Sequence, residues 1–120
     1  MTKKKTKKEI GKSSKRKGKV GELEVVNLLK KFGYNDAHRS AQYCGNTGGA
    51  ADVVGLPGIH IEVKRVEKQN LKKAYEQAVN DSKANGNNIP AVFHRKSREP
   101  WMVTLSLNDF LKLYKGEFNK

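Results

Sequence analysis

The residues best suited to chemistry lie in the middle of the chain, where Asp52 is followed ten residues later by Glu62-Val63-Lys64. Side chains along a β-strand alternate between the two faces of a sheet, so Glu62 and Lys64 share one face, with their Cα atoms roughly 6.5 to 7 Å apart. A turn at Pro57-Gly58 would return Asp52 to the neighbourhood of Glu62. The spacing therefore predicts one site with two carboxylates and an amine.

Two neighbouring carboxylates repel each other unless a cation lies between them or one takes up a proton. A hard divalent cation such as Mg²⁺ prefers oxygen ligands and retains several waters. Asp52, Glu62 and the Val63 carbonyl could hold this ion together with a phosphate oxygen. Lys64 would orient or deprotonate the attacking water, or stabilise negative charge that develops at phosphorus. The pattern thus indicates metal-dependent phosphodiester hydrolysis.

A third carboxylate comes from the first predicted helix. The apolar residues of this helix form one stripe, which consists of Val25, Val26, Leu28, Leu29 and Phe32. On a helical wheel Glu22 lies roughly 50° from the centre of this stripe and Glu24 roughly 110° from it. A Glu at the border of a buried stripe is costly unless it meets a cation. Glu22 is therefore predicted to join the site as a catalytic group and metal ligand, and Glu24 to face solvent.

The elements that must position these residues follow from apolar periodicity and turn formers. They are a helix over residues 18–32, strands over 51–56 and 59–64, a helix from residue 71 to near Gly86, strands over 90–94 and 101–105, and a final helix that Ser106 and Asp109 cap and Gly116 ends. The two middle strands are predicted to pair as an antiparallel hairpin, and the turn-rich residues 46–49 to form a loop over the site. The order α-β-β-α-β-β-α predicts an α/β fold in which helices pack on a mixed β-sheet.

The excess of positive charge indicates a polyanionic partner. Lys and Arg total 25 against 12 Asp and Glu, which gives a net charge of +13 and a pI near 9.9. Such a partner is nucleic acid or an acidic membrane surface. Residues 1–19 carry ten Lys and Arg and one Glu, without an apolar face. We expect residues 1–16 to form a disordered basic arm before a folded domain at 17–120, although a localisation or solubility tail would have the same composition.

Several classes of protein are disfavoured. The sequence has no run of roughly 20 apolar residues that could span a membrane, and its charged N-terminus lacks the hydrophobic region of a signal peptide. Cys44 is the sole cysteine, so neither an internal disulfide nor a Cys/His zinc site is expected. We expect a soluble, intracellular protein that is cytoplasmic or associated with the nucleoid.

Several basic and polar residues could hold DNA. Arg39 and Ser40 precede the catalytic strands, and both residue types bind phosphate, Arg through bidentate contacts. A second cluster, which a solubilising hairpin loop would explain equally well, consists of Arg95, Lys96 and Arg98. Arg16 and Lys17, at the end of the arm, are assigned to DNA binding as well.

The sequence also resembles a known group of enzymes. Asp52, Glu62, Val63 and Lys64 look like the D…EXK motif of PD-(D/E)XK nucleases. Residues 17–29, 32–34 and 39–41 resemble the opening of archaeal Holliday-junction resolvases and small phage nucleases, in which the Glu of helix one is catalytic and falls on Glu22. The likeness covers about residues 17 to 93. Gln77 looks like a Gln that follows the EXK motif in several branches of this fold and is assigned to DNA binding. It lies off the apolar stripe of its helix, so a plain solvent-exposed Gln is the alternative.

The resemblance implies a restriction-endonuclease-like fold and a Mg²⁺- or Mn²⁺-dependent phosphodiester hydrolase, commonly a homodimer that cuts branched DNA. The sequence departs from the archaeal pattern in a longer loop at residues 42–50 and in an unrelated C-terminal end. Three interpretations follow: a Holliday-junction resolvase, a nuclease of the same fold acting on nicked, flapped or duplex DNA, and an inactive nucleic-acid-binding module. Because the proposed catalytic residues are all present, the first two are favoured.

Overall fold

The chain forms three helices and five strands within the described residues. The computed structural model describes residues 7–40, 51–65, 67–68 and 70–118, with backbone alone for residues 7–17, 117 and 118. The elements are α1 (Lys7–Lys31), β1 (His38–Arg39), β2 (Val53–Val54), β3 (Ile59–Arg65), α2 (Leu71–Ala84), β4 (Ile89–Arg95), β5 (Met102–Thr104) and α3 (Leu107–Phe118). The predicted α/β class is confirmed, and the fold agrees with a restriction-endonuclease-like architecture.

The strands form one mixed sheet in the order β1-β2-β3-β4-β5. Every neighbouring pair is antiparallel except β3 and β4, which run parallel and are connected through α2. The predicted hairpin is confirmed, because Val53 of β2 lies opposite Ile61 of β3. Strand β1 is an addition to the predicted order, since two residues are too few to show an alternating pattern.

The two faces of β3 are covered by different helices. Val25 and Val26 of α1 pack against Ile61 and Val63 in one buried cluster. On the opposite face of the sheet, Ala74 and Ala78 of α2 pack against Val92, which belongs to the neighbouring strand β4. Val92 lies beside Glu62 in the parallel register, so Glu62 also lies on the face that α2 covers. Strand β3 is therefore buried on both sides.

Two glycines permit close approaches that position the site. A Cβ at Gly21 of α1 would lie 3.0 Å from Arg65 Cβ, so glycine lets the helix pack closely on β3. Gly55 follows β2 with a φ of +107°, and a Cβ there would lie 2.5 Å from the Ala37 Cα. Both conditions exclude a larger residue at Gly55 without backbone movement.

Two predicted boundaries differ from the structure. Helix α1 begins at Lys7, whereas the sequence predicts a helix from Gly18 after an arm without helix. Lys and Arg have high helix propensities, and extending a helix that is already packed avoids the cost of nucleation. Gly116 lies inside α3 and does not end it. An exposed interior glycine costs only about 1 kcal/mol relative to alanine, which a short helix tolerates.

The predicted cap of the last helix is confirmed, because the Asp109 backbone N–H donates a hydrogen bond of 3.1 Å to Ser106 Oγ. The predicted loop at residues 46–49 and Cys44 lie outside the described residues.

Candidate active site

Asp52 lies immediately before β2 and is fixed to the neighbouring strand through both its backbone and its side chain. Its backbone N–H donates a hydrogen bond of 2.8 Å to the Ile61 carbonyl. Its Oδ2 accepts a hydrogen bond of 2.7 Å from the backbone N–H of Val63. The carboxylate is thereby held beside β3, as the hairpin prediction requires.

Glu62 is the most deeply buried carboxylate of the site, with 4% of the residue exposed. Burial raises its pKa to about 7, against the opposing effect of a hydrogen bond with His60. Repulsion by Asp52 and hydrogen bonds with the carboxyl groups of Asp81 and Asp52 also contribute to this raised pKa. Three carboxyl groups therefore meet at one point, an arrangement that favours a bound cation or a shared proton.

Glu22 approaches this group from α1. Its Oε1 accepts a hydrogen bond of 2.8 Å from Arg39 Nε. Burial raises the pKa of Glu22, the Arg39 hydrogen bond lowers it, and the charge of Asp52 raises it again. Glu22 thus lies within electrostatic reach of Asp52, on the side that the helical wheel predicts. Its catalytic role stays a prediction.

Glu24 does not face solvent, so that prediction is wrong. One of its oxygens lies 3.0 Å from Arg65 Nε, and the other accepts a hydrogen bond of 2.7 Å from Arg95 Nη1. The two arginines are the last residues of β3 and β4, and both reach across to α1. A wheel cannot anticipate these partners, because they are supplied by distant strands. Glu24 fastens α1 to the sheet two residues after Glu22.

Lys64 and Val63 complete the predicted set on β3. Lys64 is half-buried and lies two residues after Glu62, so both side chains leave the strand on the same face. Val63 is 8% exposed, packs in the core below α1, and uses its N–H to hold Asp52. The catalytic role of Lys64 and the metal-binding role of the Val63 carbonyl stay predictions.

The residues predicted to bind DNA fall into several environments. Arg39 and Ser40 adjoin the site, Arg39 through Glu22 and Ser40 through its N–H, which donates a hydrogen bond of 3.1 Å to the Asp52 carbonyl. Arg95 belongs to β4 and binds Glu24, so it is not a loop residue as the sequence suggests. Lys96, Arg98 and Gln77 are exposed, whereas the side chains of Arg16 and Lys17 lie outside the described residues. Their contacts with DNA stay predictions.

Two further side chains lie beside Glu62: His60 of the same strand and Asp81 of α2, which sequence reasoning missed. His60 is 4% exposed, and its Nε2 lies 3.1 Å from Glu62 Oε1. Asp81 lies three residues after buried Ala78 and one before buried Ser82, on the inward side of α2. An acidic residue on the buried stripe of α2 was the signal that could have identified it.

The donor set fits a hard divalent cation. The charge of Asp52 raises the pKa of both Glu22 and Glu62, and carboxylate oxygens are the ligands that Mg²⁺ and Mn²⁺ prefer. Lys64 lies on the same strand face as Glu62. The site therefore offers carboxylates for a divalent cation and an amine for a phosphate.

The amino-acid sequence matches the model of one known protein family. The sequence model of a family described as "phage putative PDDEXK endonuclease" matches residues 13–120. The chain belongs to this family. The match supports a phage-associated PD-(D/E)XK endonuclease that acts on DNA, and it includes every residue of the candidate site. Neither a curated protein nor a solved structure matches the chain significantly.

Of the helices within the described residues, none is sufficiently long and apolar to span a bilayer.

Proposed function

We propose that this PD-(D/E)XK endonuclease is a Mg²⁺-dependent, structure-selective enzyme that hydrolyses phosphodiester bonds in branched DNA, most concretely a Holliday-junction resolvase acting as a homodimer. The observation that carries the catalytic part is that Asp52 interacts electrostatically with both Glu22 and Glu62, and that the buried Glu62 carboxyl has its pKa raised to about 7.

Each residue of the site has a separate task in this proposal. Asp52, Glu62 and the Val63 carbonyl hold Mg²⁺, and Glu22 contributes a further carboxylate oxygen directly or through water. When bound, the ion supplies a Lewis acid for the phosphate and lowers the pKa of a coordinated water. Lys64 carries a positive charge that stabilises the additional negative charge on the phosphate oxygens.

Arg39 links catalysis to substrate binding. Its guanidinium holds the Glu22 carboxylate through Nε, while the remaining N–H groups of the same guanidinium can donate to a phosphate. Its side chain is 30% exposed, so DNA can reach it. Arg39 therefore positions Glu22 and binds the DNA backbone with one planar group.

The net charge of +13 supports DNA binding without base recognition, because phosphate contacts position a duplex but read no sequence. Lys96 and Arg98 lie exposed in the turn between β4 and β5 and present charge to the backbone. Branch selectivity then depends on how two sites are spaced, which a dimer fixes.

An unusually apolar surface at the C-terminal end of the chain supports the dimer. Exposed large apolar residues from β5 and α3 gather there, and they are Met102, Val103, Leu107, Phe110, Leu111, Leu113 and Tyr114. Strand β5 is also the edge of the sheet, so its outer backbone groups are available for pairing. Exposed apolar patches of this kind mark interaction sites. A second copy would cover both features.

The test presents purified full-length protein with four-way junction, flap, nicked and linear duplex DNA of matched length, each with Mg²⁺, Mn²⁺ or EDTA. We expect cleavage of the four-way junction by paired, symmetric cuts in Mg²⁺ and none in EDTA. Equal cleavage of all substrates would instead indicate a nuclease without branch selectivity. Binding without cleavage under every metal condition would indicate an inactive nucleic-acid-binding module.

A further inference from the structure

A second group of metal-ligating side chains lies beside the proposed catalytic carboxylates, between β3 and α2. His60, Glu62 and Asp81 each offer one ligand atom, and these atoms all lie within 4.8 Å of one another. His60 and Asp81 take no part in the mechanism proposed above. Glu62 belongs to both groups, because it also contacts Asp52.

The spacing within this group suits the coordination sphere of an ion. The Nε2 of His60 lies 3.1 Å from Oε1 of Glu62. Two adjacent ligands of a six-coordinate ion, each about 2.1 Å from the metal, are separated by about 3 Å. Because all three ligand atoms lie within 4.8 Å of one another, small side-chain movements would let all three residues coordinate one ion.

Burial and charge also favour a cation at this position. His60 and Glu62 are each 4% exposed, and the carboxyl groups of Asp52 and Asp81 both contact Glu62. The nearby arginines neutralise other carboxylates, since Arg39 binds Glu22 and Arg65 binds Glu24. Buried carboxylates in mutual contact require a cation or protons between them.

An ion could reach the group through an adjoining cavity of about 480 Å³, which includes His60, Ser40 and Asn88 in its lining. The Ser40 Oγ is buried and has no hydrogen-bond partner within the described part of the chain. Polar oxygens along this cavity would accommodate the waters of a hydrated cation.

We infer that His60, Glu62 and Asp81 form a second divalent-cation site, which shares Glu62 with the catalytic carboxylates and takes Mn²⁺ or another transition-metal ion in preference to Mg²⁺. The preference follows from the imidazole ligand, because nitrogen donors favour transition metals whereas Mg²⁺ favours oxygen alone. The inference rests on the proposed function, in that Glu62 is a ligand of the first ion as well.

The number of ions bound by the full chain without DNA tests this inference. Titration of Mn²⁺ followed by electron paramagnetic resonance should give two bound ions per wild-type chain. Excess Mg²⁺ should displace one ion and leave the other. Asp81→Asn should retain the displaceable ion alone, with Mn²⁺ affinity at the second site at least about tenfold weaker. Asp52→Asn should show the opposite pattern and retain the Mg²⁺-resistant ion.

Two control variants accompany these measurements. Glu76→Gln removes an exposed carboxylate from the same helix as Asp81, and His94→Gln removes a half-buried imidazole from the adjacent strand. Both should bind two ions. His60→Asn should repeat the Asp81→Asn result, and if it does not fold, the Asp81→Asn titration decides by itself.

A single Mn²⁺ ion per wild-type chain, or two Mg²⁺-resistant sites that persist in Asp81→Asn, would overturn the inference. His60 and Asp81 would then support Glu62 by hydrogen bonding alone. Cleavage is measured in parallel, so failure of the proposed function is separately visible: two Mn²⁺ sites with the expected variant pattern, but without cleavage of any DNA, would contradict the nuclease and leave the second site standing.

Discussion

The carboxylate of Asp52 accepts a hydrogen bond of 2.7 Å from the backbone N–H of Val63, the residue that separates Glu62 from Lys64. This bond fixes one acidic residue to the strand that carries the other two functional side chains. It therefore makes the relative position of Asp52 and Glu62 a property of the hairpin, not of flexible side chains.

The same bond determines which substitution of Asp52 is informative. Asp52→Asn retains an oxygen that can accept from Val63, but it removes the charge required to bind a cation, so cleavage should fall at least about 100-fold while the fold is preserved. Glu62→Gln likewise removes a negative charge, so it should reduce cleavage by a similar factor while the fold is preserved. Asp52→Ala should in addition lose about 1–3 kcal/mol of stability, because it removes the acceptor for a buried N–H. Single-turnover cleavage and thermal unfolding measure the two effects; wild-type cleavage by Asp52→Asn would contradict the assigned site.

Glu22 and Glu24 are expected to separate catalysis from stability. Glu22→Gln should reduce cleavage severely with little change in melting temperature, because Glu22 lies beside Asp52. Glu24→Gln should leave single-turnover cleavage by folded protein nearly unchanged but lower the unfolding free energy by about 1 kcal/mol, since it weakens contacts with Arg65 and Arg95 at a partly exposed site. A catalytic defect confined to Glu24→Gln would show that the roles are reversed.

The raised pKa of Glu62 predicts a pH dependence of stability. Its folded-state pKa of about 7 lies above the ordinary value of 4.5, so the folded protein binds a proton more tightly than the unfolded chain does. Without metal, the stabilisation from this proton is fully present below pH 4.5 and is lost as pH rises through about 7. Melting temperatures in EDTA should show this loss for wild type relative to Glu62→Gln. Because protons compete with the cation, metal affinity should rise over the same interval.

Local patterns in the sequence predict much of this site, and distant contacts account for what they miss. The phase of α1 places Glu22 correctly, and Pro57-Gly58 returns Asp52 to Glu62, because both relations depend on residues near one another in the chain. Asp81 reaches Glu62 only through the crossover helix α2. Arg95 meets Glu24 across 71 positions of sequence, beyond what a helical wheel can represent.

The apolar surface of β5 and α3 predicts a change in oligomeric state. Leu107 is 70% exposed and Leu111 is 51% exposed, so Leu107→Glu and Leu111→Lys remove little packing within one chain but place charges in the proposed interface. Both variants should shift the protein from dimer to monomer in sedimentation experiments while circular dichroism stays unchanged. Cleavage of the four-way junction should then give single cuts instead of paired, symmetric cuts. An unchanged dimer in both variants would locate the interface elsewhere.

Removal of the basic N-terminal segment separates DNA affinity from catalysis. Deleting residues 1–15 removes seven Lys and one Glu, and it retains the residues of α1 that the structure shows packed on the sheet, such as Gly21, Val25 and Val26. Binding to every DNA should weaken. The slope of log affinity against log salt should flatten by about 0.9 for each phosphate that the shortened protein no longer neutralises.

The chemical step should survive this deletion, because Glu22, Asp52, Glu62 and Lys64 all remain. Single-turnover cleavage at saturating enzyme should stay near the full-length rate, with preference among DNA shapes unchanged, since dimer geometry and not the arm sets the spacing of two sites. If binding and salt slope are unaffected, the segment has another task, such as localisation. If junction preference disappears while linear duplex is still cut, the basic segment is the element that recognises the branch.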